Sequence, residues 1–289
     1  MRILITGGRG QLGRELQVAL AAQTVSATDV PELDVTDAAA VDGAVDAFRP
    51  DLIIHAAAYT DTRGCEADPD RAMRVNGGGA RNVAQACRRA GAALLYVSTN
   101  EVCDGAKGEP YLEADEPRPI NVYGRSKLKG EEHVRSLLDR FYVVRTSWLY
   151  GGGRDFPAKV LQAGPGELPM VTNEVSSPTW ARDLAQAIAL LVEQDAPTGV
   201  YHLTNGGGCS RFEWAEQVLA LAGRQGIVLR PITQAGYAAR EREAGRTPLP
   251  KPPFSALANT AAAALGVVLR PWPEALGEYF ATTMARGRA

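Results

Sequence analysis

The sequence predicts an α/β protein with a doubly wound parallel sheet and a smaller, interleaved C-terminal domain. Three observations lead to this prediction: short apolar segments without polar alternation, a helical pattern after each of them, and a glycine-rich turn after the first. Strands without alternation are typical of sheets covered on both faces, and repeated strand–helix units wind with right-handed crossovers. With 289 residues, 45% of them hydrophobic, the chain can bury such a core.

The first half of the chain supplies the regular units in order. Its predicted strands are RILIT, TVSATDV, DLIIHAAA and AALLYVST. The helices predicted after the first three are QLGRELQVALAA, DAAAVDGAVDAF and PDRAMRVNGGGARNVAQACRRA. A fourth helix begins at Asn121, a favourable N-cap residue that follows Pro117 and Pro119, and it leads into a strand in RFYVVRTSWLYG.

After residue 150 the regular winding stops in sequence rich in Gly and Pro. The helix WARDLAQAIALLVEQ and the strand GVYHLT then return the chain to the sheet. A helix in RFEWAEQVLALAG, the proline-rich PLPKPPF and a last helix in PEALGEYFATTMA follow. We therefore predict a Rossmann-like domain over residues 1–150, whose sheet is rejoined by about 175–203, and a second domain over 151–174 and 204–289.

Charge and composition argue against several classes of protein. The net charge is −2 and no long run of Lys or Arg occurs, so we expect no nucleic-acid partner and no anionic membrane surface. The apolar runs are too short to span a bilayer, and RILIT follows Met1 without the features of a signal peptide, so we expect a soluble, cytoplasmic protein. The four Cys and three His residues are dispersed, and no metal site is predicted.

The turn after the first strand has the spacing G-x-x-G-x-x-G through Gly7, Gly10 and Gly13. Because it opens a helix, the helix dipole and the free N-terminal amides favour a pyrophosphate there. Gly10 would let the backbone approach the phosphates, and Gly13 would let helix and strand pack closely. The sequence therefore predicts a dinucleotide site in the first domain.

Two residues give opposite indications about the dinucleotide. Asp29, at the end of the second strand, is placed to bind the ribose 2′-hydroxyl of NAD. Arg9, next to the middle glycine, could instead hold the 2′-phosphate of NADP. We expect both cofactors to be accepted, with NADPH favoured over NADH.

Tyr123 and Lys127 stand four residues apart and so share one face of the fourth helix. A Tyr and a Lys at this spacing usually lie on a solvated helix surface. Here, however, Thr99 and Asn100 end the fourth strand and Trp148 ends the fifth, at the same edge of the sheet. Reduction of a carbonyl requires a proton donor, and a phenol of pKa about 10 can serve if an ammonium stabilises its phenolate. A hydroxyl such as that of Thr99 would orient the carbonyl oxygen.

These features together resemble the extended short-chain dehydrogenase/reductase family. Local phrases are similar to those of its dTDP-4-dehydrorhamnose reductases, from residue 1 to about residue 280: HAAAYT, RVNGGGARNVA, YVSTNEVCDG, INVYGRSKLKGE, RTSWLYG, SSPTWARDLA and GVYHLTNGG. The resemblance implies reduction of the C4 ketone of dTDP-4-dehydro-L-rhamnose by NAD(P)H, with the first domain binding the dinucleotide and the second the sugar nucleotide.

The resemblance also implies roles for individual residues. Tyr123 would be the general acid, Lys127 would hold the nicotinamide ribose and lower the tyrosine pKa, and Thr99 would bind the C4 carbonyl. The substrate would contact Thr99, Asn100, Tyr123 and Trp148. The cofactor would contact Gly7, Arg9, Gly10, Gln11, Leu12, Gly13, Asp29 at the ribose, Asp34 and Val35 at the adenine, Ala57, Ala58, Tyr59, Thr60, Val97, Tyr123 and Lys127.

Three residues depart from the pattern of similar enzymes. Asn100 stands in place of a carboxylate, Glu101 in place of an aromatic residue, and Arg63 in place of an acidic residue. The exact 4-keto-6-deoxysugar, and thymidine or uridine as its nucleoside, therefore stay open. So do the oligomeric state, with a homodimer as one option, and any divalent-ion requirement.

Two other functions remain as alternatives from the sequence. One is a nucleotide-sugar epimerase or dehydratase with tightly bound NAD. The other is a non-catalytic NADP-binding regulatory subunit.

Overall fold

A computed structural model describes residues 1–286 of the chain. Its strands are β1 (Arg2–Thr6), β2 (Thr24–Thr28), β3 (Leu52–His55), β4 (Ala93–Thr99), β5 (Phe141–Thr146), β6 (Leu149–Tyr150), β7 (Gly166–Val171), β8 (Val175–Ser176), β9 (Thr179–Trp180), β10 (Gly199–His202), β11 (Cys209–Ser210) and β12 (Ile227–Ile232). Its helices are α1 (Gln11–Ala19), α2 (Ala38–Phe48), α3 (Thr62–Ala67), α4 (Pro69–Ala72), α5 (Gly79–Ala90), α6 (Val122–Leu137), α7 (Phe156–Gln162), α8 (Ala181–Glu193), α9 (Arg211–Leu221), α10 (Gln234–Glu243), α11 (Thr260–Ala264) and α12 (Trp272–Arg286).

The central sheet has six parallel strands in the order β10-β5-β4-β3-β1-β2. Its apolar strands are covered on both faces, as the missing alternation predicts. In β1, Ile3 and Ile5 pack with Leu16 of α1 and Leu184 of α8, whereas Leu4 faces the opposite cluster, which contains residues of α2, α5 and α6. The predicted doubly wound α/β fold is confirmed, and β10 returns to the sheet beside β5.

Two predicted elements differ in detail from the structure. The long helix predicted from residue 69 contains one wide π-helical turn, Met73–Gly78, between α4 and α5. Asn76 lies in this turn, and its side chain hydrogen-bonds with Tyr59 in the loop after β3. The strand predicted through RFYVVRTSWLYG ends at Thr146, because Trp148 takes a left-handed backbone conformation with φ of 40°.

The remaining elements form a smaller lobe beyond the carboxyl edge of the sheet. Three two-stranded sheets, β7 with β12, β8 with β11 and β6 with β9, surround a core rich in aromatic side chains. The domain bounds predicted from the sequence stay a prediction. Among residues 1–286, no helix has the length and apolar character needed to cross a membrane.

Candidate active site

Thr99, Tyr123 and Lys127 lie together at the carboxyl edge of the sheet. Thr99 is the last residue of β4, and α6 begins beside it because the Asn121 side chain accepts a hydrogen bond from Gly124 N at 2.7 Å. This cap confirms the helix start predicted from the sequence. The Thr99 hydroxyl accepts a hydrogen bond from Glu101 N at 3.2 Å and donates one to Asn100 Oδ1 at 3.3 Å.

Lys127 is almost completely buried, with 2% of its surface exposed. Its Nζ lies 4.1 Å from the centre of the Tyr96 ring, whose π face attracts a cation. Burial lowers the pKa of Lys127 to about 7, and the nearby Glu131 carboxylate opposes this change. No hydrogen bond from Nζ to another group occurs within the described chain, so the ammonium can donate to the hydroxyls of a ligand.

The surroundings of Tyr123 act on its pKa in two directions. Burial raises it well above its usual value, and the charge of Glu101 adds to this, while the hydrogen bond with Thr99 acts in the opposite direction. Lys127 is not among the groups that act on this pKa, so the expected lowering by Lys127 stays a prediction. Desolvation is the largest cause of the rise, because a phenolate loses more than a neutral phenol when water is removed.

Beneath these groups lies a buried charged pair that the sequence reasoning missed. Arg145 donates from Nε and Nη2 to the Glu131 carboxylate at 3.0 and 2.8 Å, and Ser98 Oγ donates to the same carboxylate at 2.5 Å. Glu131 and Arg145 are 0% and 2% exposed. The available signal was the position of Glu131, four residues after Lys127 on the same helix.

The loop after β3 is held by a second set of residues that had no predicted role. Asn76 accepts from Tyr59 N at 2.8 Å and donates to Tyr59 O at 3.0 Å and to Ser126 Oγ at 2.9 Å. Ser126 Oγ in turn donates to the carbonyl of Tyr123 at 2.7 Å. These bonds tie the loop that contains Ala57, Tyr59 and Thr60 to the helix of Tyr123 and Lys127.

The glycine turn fits the pyrophosphate of a dinucleotide. A side chain at Gly7, where φ is 75°, would place its Cβ 2.7 Å from Ala57 N, and one at Gly13 would overlap the carbonyl of Gly7. Gly10 is the N-cap residue of α1 and has no side chain that could accept a hydrogen bond from the first backbone amides of the helix. These amides can therefore donate to a ligand in the turn. Gly7 and Gly13 are therefore needed for the tight turn and for the close packing of backbone against backbone that places the start of α1 at the mouth of the turn.

Asp29 and Arg9 meet at the end of β2. Asp29 accepts hydrogen bonds from Arg9 N and Val30 N, both at 2.9 Å. The Arg9 guanidinium donates to Val30 O at 3.0 Å and pairs with Glu32 on the surface, where both side chains are more than half exposed. An exposed pair of this kind is worth roughly 0–1 kcal/mol, so a phosphate can compete for the guanidinium.

The other residues predicted to contact the cofactor occupy different environments. The Asp34 carboxylate accepts from Thr36 N and Thr36 Oγ1 at 2.8 Å, which lowers its pKa. The side chains of Leu12 and Val35 are in the core at 5% exposure, which leaves their backbone to face a ligand. Gln11 lies at the start of α1, next to Gly152, Val97 is half-buried on β4, and Ala58 is half-buried in the loop after β3.

A pocket of about 750 Å³ lies between the sheet edge and the smaller lobe. Five basic residues and two acidic residues are among its lining: Arg63, Lys159, Arg211, Arg242, Lys251, Glu174 and Glu241. Much of the remaining wall is apolar, through residues such as Phe156 and Met170. The pocket thus offers an apolar surface together with excess positive charge.

Trp148 and Asn100 flank this region without lining it directly. The Trp148 ring stacks on Trp214 with centroids 5.4 Å apart, and the Arg211 guanidinium lies 3.5 Å from its centre. Asn100 is 3% exposed, and its Nδ2 donates to Ser176 Oγ at 3.1 Å and Ser255 Oγ at 2.8 Å.

Comparison with known proteins gives a consistent set of matches. A family model described as the RmlD substrate binding domain matches residues 1–285. The dTDP-4-dehydrorhamnose reductase of Streptomyces griseus is 40% identical over 296 residues, which cover 99% of this chain and 95% of that protein. The solved structure of a dTDP-4-dehydrorhamnose reductase from Clostridium acetobutylicum matches with a TM-score of 0.91 at 35% identity, over 98% of this chain and 100% of that chain. The reductase of Bacillus anthracis, solved in complex with NADP, matches with a TM-score of 0.89 at 35% identity, over 97% and 99% of the two chains.

Proposed function

The chain belongs to the RmlD substrate binding domain family, and from this premise we propose that it is an NADPH-dependent dTDP-4-dehydrorhamnose reductase. It converts dTDP-4-dehydro-L-rhamnose to dTDP-L-rhamnose. The observation that carries the proposal is the convergence of Thr99, Tyr123 and buried Lys127 at the carboxyl edge of the sheet, where the glycine turn also opens. The reactions named for its relatives support the same chemistry.

Three side chains divide the work on the ketone. Bound NADPH supplies the hydride for C4. Thr99 Oγ1 donates a hydrogen bond to the C4 oxygen, and the Tyr123 phenol donates its proton to that oxygen as negative charge develops there. The phenol is protonated at neutral pH, which is the form that reduction needs. The Lys127 ammonium binds the nicotinamide ribose and stabilises the phenolate left after proton transfer.

The pocket accommodates the nucleotide part of the substrate. A pyrimidine base fits the apolar wall near Phe156 and Met170, and the diphosphate fits the basic residues, among them Lys159 and Arg211. The pocket reaches Ile120, three residues before Tyr123, so the sugar of a nucleotide bound there extends towards the phenol. Trp148 and Asn100 shape the sugar end of the pocket indirectly, because Trp148 packs against Arg211 and Asn100 accepts a hydrogen bond from Thr99.

The cofactor assignment rests on the glycine turn and Arg9. The turn fits a pyrophosphate, and Arg9 can exchange Glu32 for the 2′-phosphate of NADPH. The Asp29 carboxylate accepts two backbone hydrogen bonds and can accept another from the ribose 2′-hydroxyl of NADH. NADH is therefore accepted as well, at lower affinity. The cytoplasm as location, a homodimer and the lack of a nucleic-acid partner stay predictions.

The direct test follows NADPH absorbance while the purified protein is supplied with dTDP-4-dehydro-L-rhamnose. We expect one NADPH to be oxidised per product, a slower reaction with NADH, and a comparison with the uridine sugar that decides the nucleoside. Product formed without net NADPH consumption would favour an epimerase or dehydratase instead.

A variant separates the role of Tyr123 from that of the fold. Tyr123→Phe removes only the proton donor, so kcat falls by about 10²–10⁴-fold while NADPH affinity is retained. Tyr142→Phe is the matched control, because Tyr142 lies at the opposite end of the sheet. Wild-type kcat in Tyr123→Phe would contradict the proposed role.

A further inference from the structure

One segment of the smaller lobe forms about half of the pocket wall. We call residues 234–251 the strap; it consists of α10 and the coil after it. Ten of the 21 residues that line the pocket belong to the strap. The position of the strap therefore sets the shape of the pocket.

Arg63, on α3, attaches the strap to the first domain. Its Nη2 donates to Glu241 Oε2 at 2.7 Å, and its Nη1 donates to the carbonyl of Thr247 at 3.2 Å. Glu241 is only 5% exposed and also accepts from Arg246 Nη2 at 2.6 Å. Arg63 is one of the residues that depart from similar enzymes, and an acidic side chain there would repel Glu241.

Glu101 makes a second attachment, and it is a second departure from similar enzymes. Lys251 Nζ donates to Glu101 Oε1 at 2.6 Å, and the other carboxylate oxygen accepts from Asn121 Nδ2. The same Asn121 nitrogen donates to the carbonyl of Pro250 at 3.1 Å, while its oxygen caps α6 at Gly124. The end of the strap is thus bonded to the N-cap of the helix that carries Tyr123.

We propose that Glu101 and Lys251 are positioning residues that couple the strap to Tyr123. A nucleotide sugar that draws the strap onto the pocket moves Lys251, and Lys251 acts through Glu101 and Asn121 on the first turn of α6. Arg63 and Glu241 hold the strap but do not touch Asn121. This inference rests on the proposed function, because the nucleotide sugar is the ligand that closes the strap.

The physical reason is that proton transfer from Tyr123 tolerates only a small displacement of the phenol. Asn121 precedes Tyr123 by two residues, so a tilt of the first helical turn displaces the phenol. A displacement of about 1 Å at a reacting group can cost about a hundredfold in rate. Without Lys251, the Glu101 carboxylate at 8% exposure loses its cation and its fixed place between the strap and Asn121.

Kinetics distinguish this role from direct binding of the diphosphate by Lys251. A group that binds substrate and transition state equally changes KM, whereas one that positions the proton donor changes kcat. The full-length enzyme is assayed with NADPH and dTDP-4-dehydro-L-rhamnose. Lys251→Met should lower kcat by about 10- to 100-fold, with KM changed by less than about threefold. Lys251→Arg should keep most activity, since it preserves the pair with Glu101.

The matched control is Lys129→Met. Lys129 lies on the exposed side of α6 and pairs there with Glu132 at 2.8 Å. It shares the helix with Tyr123 but not the strap, so kcat should match the wild type.

A second measurement does not depend on turnover. Trypsin cleavage of the Arg246–Thr247 bond, followed by mass spectrometry, reports opening of the strap. The Lys251–Pro252 bond resists trypsin, so Lys251→Met removes no competing site. With dTDP present, Lys251→Met and Arg63→Met should be cut about tenfold faster than the wild type, because cleavage follows the population of the open form. Arg63→Met should retain more kcat than Lys251→Met.

Each outcome decides a separate point. A rise in KM alone would make Lys251 a diphosphate ligand and overturn the proposal, as would equal cleavage of Lys251→Met and the wild type. If the wild type oxidises no NADPH with the sugar, the proposed function fails, and the cleavage rates still decide whether Lys251 and Glu101 hold the strap.

Discussion

Removal of the Glu131 side chain should destabilise the protein severely. In Glu131→Ala, Arg145 stays 2% exposed but loses both of its carboxylate bonds, and Ser98 Oγ loses its acceptor. Breaking a buried pair by removing one partner costs about 3–5 kcal/mol, because the remaining charge is left uncompensated. At about 2–4 °C per kcal/mol for a chain of this size, Tm should fall by roughly 6–20 °C.

The neighbouring residue provides the control. Glu132 follows Glu131 on the same helix, but its pair with Lys129 has both side chains about half exposed. Glu132→Ala should therefore cost less than about 1 kcal/mol. Both variants are compared by urea unfolding and calorimetry. A free energy of unfolding for Glu131→Ala within about 1 kcal/mol of that for Glu132→Ala would refute the reasoning.

The double variant Glu131→Met, Arg145→Met tests the mechanism of this loss. Apolar side chains of similar size can replace a buried pair at little cost, whereas one unpaired charge cannot be tolerated. The double variant should be more stable than either single variant. Additive losses would show that packing volume, rather than unpaired charge, explains the effect.

Three further predictions follow from the cofactor cradle and the buried histidines. Arg9→Ser should weaken NADPH binding by about 1.5–3 kcal/mol, the range for hydrogen bonds to charged groups, and leave NADH binding nearly unchanged; equal losses for both cofactors, measured by fluorescence titration, would contradict the 2′-phosphate role. Gly13→Ala should abolish binding of both cofactors and lower Tm, since its Cβ overlaps the Gly7 carbonyl, while Gly43→Ala, whose Cβ meets no atom within 4 Å, should do neither. Acid should destabilise the protein, because burial lowers the pKa of His55 to about 3 and of His202 to about 4. Both values lie below those in the unfolded chain, so this stability is complete above about pH 6.5 and is lost as the pH falls towards 4; a urea midpoint that stays flat between these pH values would contradict it.

The sequence was sufficient for the fold because its evidence is local. Apolar strands, the spacing of Gly7, Gly10 and Gly13, and the cap at Asn121 are all readable within a few residues. Family resemblance extended this to named site residues. The geometry that connects them was harder to predict, since Asn76 meets Tyr59, and Glu101 meets Lys251, across long stretches of chain.

Burial is a property of the site that the sequence does not show. A four-residue spacing shows that Tyr123 and Lys127 share a helix face, but it does not show that Lys127 is almost completely buried and Tyr123 half-buried. Desolvation raises the pKa of Tyr123 and lowers that of Lys127, opposite to the simple picture of a fully charged lysine beside a phenol. Trp148 illustrates the same limit, because its left-handed backbone has no signal in the sequence.

The position of Lys127 beneath the Tyr96 ring affects how ligand binding is measured by calorimetry. With a pKa of about 7, this group carries its proton in only part of the molecules at neutral pH. Any ligand that hydrogen-bonds to the ammonium draws protons from the buffer as it binds. The heat of binding then includes the ionisation enthalpy of the buffer, and apparent affinity weakens as the solution becomes more alkaline.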